Sequence, residues 1–319
     1  MDRNPDAVRP GRTGLGVADE SVGTGVGGGL PIQQASELLG VPAPTLRSWE
    51  RRYGLPTTQR SPGGHRRYSE EALHQLRLMR DEVARGRRAA DAARRVRSLL
   101  GQEGPGVALV NALLAASEQM DPGGVRAVLD QAHEELGLGG ALDEVMMPAM
   151  HQVGSWWATG RCDVAQEHLT TEVARGWLAR LTALAPAATN ERPVILACGP
   201  RDLHTLGLEG LAALLAHHRI GCRVLGARTP HRTLVTAIRA TDAAAVVVVS
   251  HLTTQRRAAV DALSAAAATG CQVFYAGNAF LFPGGRNEVP GIYLGENLST
   301  ASGLLQQSLK GGTTGVAHP

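Results

Sequence analysis

Residues 45–71, TLRSWERRYGLPTTQRSPGGHRRYSEE, place cationic side chains first on a short helix and then on a tight hairpin. Upstream, Ile32, Ala35, Leu38 and Leu39 fall at helical spacing, and Gly40-Val41-Pro42 breaks the chain before a second helix over Ala43 to Tyr53. Two short helices joined by a glycine turn form the helix-turn-helix pattern. The second helix carries Thr45, Arg47, Ser48, Trp49, Arg51 and Arg52, which suit groove and phosphate contacts. Gly54-Leu55-Pro56 and Ser61-Pro62-Gly63-Gly64 then bracket a hairpin that ends in His65-Arg66-Arg67-Tyr68, a wing. Ser69 is the expected cap of the following helix, with Glu70 and Glu71 at its positive end and Leu73, Leu76, Leu78 and Met79 on its buried side.

Charge supports this reading. The chain has 319 residues and a net charge of +3, but residues 41–97 hold 14 arginines against six acids, so the rest is acidic. Such a segment suits a phosphate-binding surface. Lys310 is the only lysine, which leaves no residue for a phosphate-binding P-loop or a Schiff base. Four cysteines, Cys162, Cys198, Cys222 and Cys271, lie far apart without a CxxC pair, so neither a disulfide framework nor a zinc knuckle is expected. The longest apolar run, Ala243 to Val249, is far short of the roughly 20 residues that cross a bilayer. Residues 1–29 are rich in glycine and lack an apolar export block. A disordered leader and a cytoplasmic protein without membrane contact are the expectation.

Beyond Leu100 the linker Gly101 to Gly106 interrupts helicity. Helical patterning resumes from Val107 to about Leu184, divided into four helices by Asp121 to Gly124, Gly137 to Gly140 and Gly160, which predicts a small bundle. Strand and helix then alternate. Strands are expected over Val194 to Cys198, Cys222 to Leu225, Ala244 to Val249, Gln272 to Ala276 and Ile292 to Leu294. The intervening helices are Leu208 to His217, Arg232 to Ala240, Ala258 to Ala267 and Ala301 to Leu309. That alternation predicts a parallel sheet covered on both faces, with ligands at the carboxyl ends of its strands. His204 falls in the first such loop, where an imidazole can ligate a metal while Asp202, two residues away, fixes its tautomer. Gly207 leaves room for a large flat ligand to approach the backbone. The fold class is thus multidomain α and α/β: a winged helix-turn-helix over 30–100, a helical bundle over 106–188, a Rossmann-like domain over 192–310 and a tail over 311–319.

Ile32 through Gly86 resembles a MerR-type DNA-binding domain along its whole length, because TLRSWERRYGL followed by GGHRRYSEE joins recognition helix to wing at that family's spacing. The resemblance implies that Arg47, Trp49, Arg51 and Arg52 address the groove and backbone. His65, Arg66 and Tyr68 would contact phosphates from the wing, with Tyr53 and Arg67 completing the candidate set. Trp157-x9-Glu167-His168, followed by Asp202-x-His204-x-x-Gly207, resembles the cobalamin-binding module of CarH- and LitR-type photoreceptor regulators. This second resemblance implies 5′-deoxyadenosylcobalamin as cofactor, with His204 as lower cobalt ligand and Asp202 as its hydrogen-bond partner. Trp157, Glu167 and His168 would pack around the adenosyl group. Ser250-His251-Leu252 matches the family's SxL and would line the cavity for the nucleotide tail.

Two positions depart from the pattern. Gly277-Asn278 stands where Gly-Gly is usual, so Asn278 is expected to crowd the tail. Ala158 replaces the histidine that commonly binds cobalt in light-sensing relatives once the adenosyl group is lost, leaving water, His168 or His151 for that role. The implied function is an adenosylcobalamin-dependent, light-released repressor that is not an enzyme and acts as a homo-oligomer, dimer or tetramer, on double-stranded operator DNA. A regulator sensing another ligand or a protein partner through a degenerate module is the alternative. A cobalamin-dependent enzyme subunit would share DxHxxG but would not need a DNA-reading head.

Overall fold

The computed structural model describes residues 29–61, 63–102, 104–282 and 284–311; the expected leader and tail lie outside the described residues, apart from Gly29 and Gly311. Helix α1 (Ile32–Leu39) ends at Gly40, whose φ of 65° is open to glycine without penalty. The turn is closed by Val41 N–H donating to the Ser36 carbonyl at 3.2 Å. Helix α2 (Ala43–Tyr53) follows, and the wing pairs β1 (Gln59–Arg60) antiparallel with β2 (Arg66–Arg67). Ser69 caps α3 (Glu70–Ala84) by accepting from Ala72 N–H at 3.2 Å, and α4 (Ala89–Leu99) completes the unit. Leu46, Leu55, Leu73, Leu76, Met79 and Val96 form the centre of a core built entirely from residues 35–100. Leu78, expected inside that core, is only partly buried.

The bundle comprises α5 (Val107–Glu118), α6 (Pro122–Gly140), α7 (Met147–Ala158) and α8 (Val164–Leu184). Asp121 and Asp163 cap α6 and α8, each accepting a backbone N–H at 2.9 Å. The glycines at 137–140 interrupt helical geometry, as the sequence leads one to expect. Gly137 takes φ 69° and ψ 173°, and a π-helical turn over Ala141–Met146 carries the helix on into α7.

The last unit alternates β3 (Val194–Cys198), α9 (Leu206–His217), β4 (Cys222–Gly226), α10 (His231–Thr241), β5 (Ala245–Val249), α11 (Arg256–Ala267), β6 (Gln272–Ala276), β7 (Ile292–Tyr293) and α12 (Leu298–Gly311). The five strands are parallel in the order β4-β3-β5-β6-β7, so the connections reverse direction between β3 and β5. That reversal opens a crevice at the strands' carboxyl ends. Strands β3 and β5 are buried along their length, which is why they read as unbroken apolar runs. Val194 and Leu196 face α9 and α12, whereas Ile195 and Ala197 face α10 and α11. Helices α9 and α12 begin two and three residues earlier than apolar periodicity predicts. Periodicity detects the buried face, and a helix can begin before its first buried residue.

The bundle and the sheet unit are continuous inside. Ala213 and Leu214 of α9 belong to the same buried cluster as Leu129, Leu142 and Trp177, with Leu206 and Leu298 packed against it. Asp143 of the π turn also accepts the N–H groups of Leu298 and Ser299, at 2.7 and 3.0 Å, capping α12 from the neighbouring unit. Among the described residues, no helix is long and apolar enough to cross a membrane.

Candidate functional site

Asp202 follows β3 in the loop at the crevice, and its side chain is fully buried. Its Oδ1 accepts from His204 through both the backbone N–H and ring Nδ1, each at 2.9 Å, while Oδ2 takes the Nδ1 of His251 at 3.1 Å. Burial opposes charge on Asp202, but hydrogen bonds from His204 and His251 outweigh it and hold the carboxyl well below the usual carboxylate range. An ionised carboxylate only accepts, so both rings present Nδ1–H to it and each keeps Nε2 for another partner. The hydrogen bond to Asp202 raises the pKa of His204 against the opposing effect of burial. The His204 side chain is 60% exposed. In the sequence His251 stands only as the variable position of SxL. Its place on Asp202 comes from the meeting of β3 and β5 ends, 49 residues apart in the chain.

A cavity of about 240 Å³ opens beside this cluster, lined in part by Gly207, Val249, His251, Gly277 and Asn278. Ser250 is fully buried, and its hydroxyl has no hydrogen-bond partner among the described residues. Gly277 has φ 106°, and a Cβ there would stand 2.2 Å from the Ser250 carbonyl oxygen, so only glycine lets the two strand ends converge. Asn278 is exposed on the cavity wall and Leu252 is also exposed. A buried hydroxyl awaiting a partner, a glycine-lined wall and an imidazole held by its Nδ1 form a donor set that fits a corrinoid with its tail inserted. Cys198 and Cys222 are unpaired and pushed up to about 12 by burial, so neither offers a thiolate near neutral pH.

Trp157 lies near the end of α7, and Glu167 and His168 near the start of α8. Trp157 is 53% exposed and His168 is exposed; Glu167 is half-buried, 3.6 Å from His168, and accepts from the Thr171 hydroxyl at 3.0 Å. Trp156 takes the buried position, with the Arg161 guanidinium 4.3 Å above its ring. None of the three candidates lines the cavity, whereas His151 of α7 does. Its ring is accessible from the cavity but crowded by protein, and burial, with Arg95 and His251 adding repulsion, lowers its pKa to about 4.

On the N-terminal unit Arg47, Arg51, Arg52 and His65 are exposed, while Thr45, Ser48, Tyr53, Arg66 and Arg67 are half-buried. Arg66 pairs with Glu50 of α2, which also accepts from the Thr58 hydroxyl at 2.6 Å, so wing and helix are braced together. Burial opposes ionisation of Glu50, but these bonds lower its pKa. The expectation that Trp49 and Tyr68 touch DNA is corrected. Both are core residues, 6% and 1% exposed, because their rings supply much of the apolar area in a small domain.

Residues 30–99 match the MerR HTH family regulatory protein description, and residues 109–182 match the B12 binding domain. The HTH-type transcriptional repressor CarH of Myxococcus xanthus is 34% identical over 223 residues, covering 66% of this chain and 74% of that protein. The HTH-type transcriptional repressor CarA of the same organism is 31% identical over 212 residues, covering 64% and 70%. The monomethylamine corrinoid protein of Methanosarcina barkeri superposes with a TM-score of 0.53 at 13% identity, covering 64% of this chain and 99% of that one, a likeness of fold. The chain belongs to the MerR-type transcriptional regulators that carry a cobalamin-binding domain, a family of regulators rather than of enzymes.

Proposed function

We propose that this regulator is a repressor that uses adenosylcobalamin and leaves its operator when light reaches the bound cofactor. The arrangement at Asp202 carries the reading: a buried carboxylate at the strand crossover holds His204 by Nδ1 and leaves Nε2 available as lower ligand. Ser250 and Gly277 would accommodate the tail, and Trp157, Glu167 and His168 would cover the upper face. When bound, the cofactor supplies a cobalt–carbon bond that visible light can break. With Ala158 beside Trp157, the role that a histidine there would play would fall to water, His168 or His151. Arg47, Arg51 and Arg52 supply exposed cations, and His65 an exposed imidazole, for operator phosphates. The reading divides the chain near residues 100–106 and 188–192, and places a dimer or tetramer in the cytoplasm.

The test is the absorbance of dark-purified protein before and after green light. A red corrinoid spectrum that changes on illumination, with a parallel loss of operator binding, is expected. Protein that stays colourless after incubation with adenosylcobalamin overturns the reading and favours a different ligand.

A further inference from the structure

The cavity at the cofactor edge has walls from all three units. Besides Gly207, His251 and Gly277 it is lined by His151 of α7 and by His74, Leu78 and Arg95 of the N-terminal domain. At about 240 Å³ it is smaller than the roughly 300–1,000 Å³ typical of drug-sized ligand pockets, and a corrinoid is larger than such ligands. For the cofactor that the preceding reading assigns here, a wall has to yield.

The walls are not held alike. The bundle and the sheet unit share one apolar core through Ala213 and Leu214, so separating them would expose buried surface. The N-terminal domain keeps its core to itself; α3 and α4 pack on α7, and across the cavity the domain is joined to the sheet unit by charge. Glu296, in the loop after β7, pairs with Arg87 and, at 3.0 Å, with Arg95. Arg87 also donates to the buried Glu82 at 2.6 Å, which ties the same contact to α3. A second bridge, Arg161 to Glu71 at 3.3 Å, joins the bundle to the N-terminal domain and does not line the cavity.

We propose that the N-terminal domain is a detachable wall of the cofactor cavity, latched shut by Glu296 on Arg87 and Arg95, so that filling the cavity moves the DNA-reading domain. Cofactor entry and domain position are then two readings of one equilibrium, and each must affect the other to the same extent.

Hydrogen exchange on cofactor-free full-length protein tests the latch directly. In Glu296→Arg, exchange over residues 85–98 and 293–297 is expected to quicken by about fivefold or more, because the latch becomes a repulsion. Unchanged exchange in both segments overturns the latch. Uptake of adenosylcobalamin in the dark, followed by absorbance, tests the wall: Glu296→Arg is expected to load about threefold faster or more, and Arg161→Ala at the parent rate. Equal loading by Glu296→Arg and parent, or an Arg161→Ala rate matching Glu296→Arg, overturns the specific role of the Glu296 contact. If the parent takes up no cobalamin, the functional reading above fails while the exchange experiment still decides the latch.

Discussion

The N-terminal domain and the cofactor-binding half bury their apolar side chains in different ways. The first closes a core within residues 35–100, drawing Leu46, Leu76 and Val96 from helices that follow one another in the chain and Tyr68 from the segment between wing and α3. The second builds one core from two units, with Leu214 of α9 packed among bundle residues and Asp143 of the bundle capping α12. A closed core can change position as a body without exposing its interior. A shared core ties the sheet that carries the Asp202 loop to the bundle, so those two units cannot separate without exposing buried surface.

The largest effect that could break this contrast is expected from Leu214→Asp, which puts a carboxylate in the shared core. It should cost several kcal/mol and abolish the cooperative unfolding of bundle and sheet together. Leu76→Ala should cost about 2–5 kcal/mol, confined to the N-terminal transition. Calorimetry of both variants reads this directly. If Leu214→Asp spares the bundle, or if a 30–100 fragment does not fold, the contrast is wrong.

At the site itself, His204→Ala should remove the histidine-ligated corrinoid spectrum and weaken cofactor retention. Asp202→Asn should do less, and His251→Ala should leave His204 still bonded to Asp202 and shift the spectrum least. A His204→Ala protein with parental spectrum and affinity in dark and light would show that the ligand lies elsewhere. Smaller effects are expected at the DNA face. Arg51→Ala should lower operator affinity and reduce the salt slope by about 1, the signature of one lost phosphate contact. Arg66→Ala should also loosen the wing, because it breaks the ion pair that braces it to Glu50 of α2. Filter binding across a salt series would refute the assignment if both variants matched the parent.

The smallest expected effect is a pH dependence from His151. Its folded pKa, about 4, lies below the ordinary histidine value near 6.5, so on acidification the unfolded chain takes up the proton first. Stability contributed by the neutral ring is therefore present at neutral pH and lost as pH falls from about 6.5 toward 4. Denaturant titrations of parent and His151→Leu should diverge only in that window. Parallel pH profiles would mean that the cavity admits enough water to erase the shift.

Much of the architecture was legible because the signals are local. Ser69 announces the start of α3 through a bond to an N–H group three residues on, and the valine run at Ala245–Val249 states that both sheet faces are covered. His204 and Asp202 were legible for the same reason, two residues apart on one loop. His251 was not, since only the parallel pairing of β3 with β5 brings it to the second oxygen of Asp202. Trp49 and Tyr68 misled because an aromatic among arginines suits a DNA face and a small core equally well. Gly137 to Gly140 were legible as a division between two bundle helices, because glycine enters the left-handed region freely.

By itself, then, the sequence determined the order of elements, the basic reading head, the parallel sheet and the His204–Asp202 pair, since each depends on backbone propensity, periodicity or a spacing of a few residues. Only tertiary structure decided that two units share one core, that Asp202 serves two histidines, and that Glu296 meets Arg87 across 209 positions of chain. Contacts at that separation follow from how helices and strands pack, and no short stretch of residues encodes them.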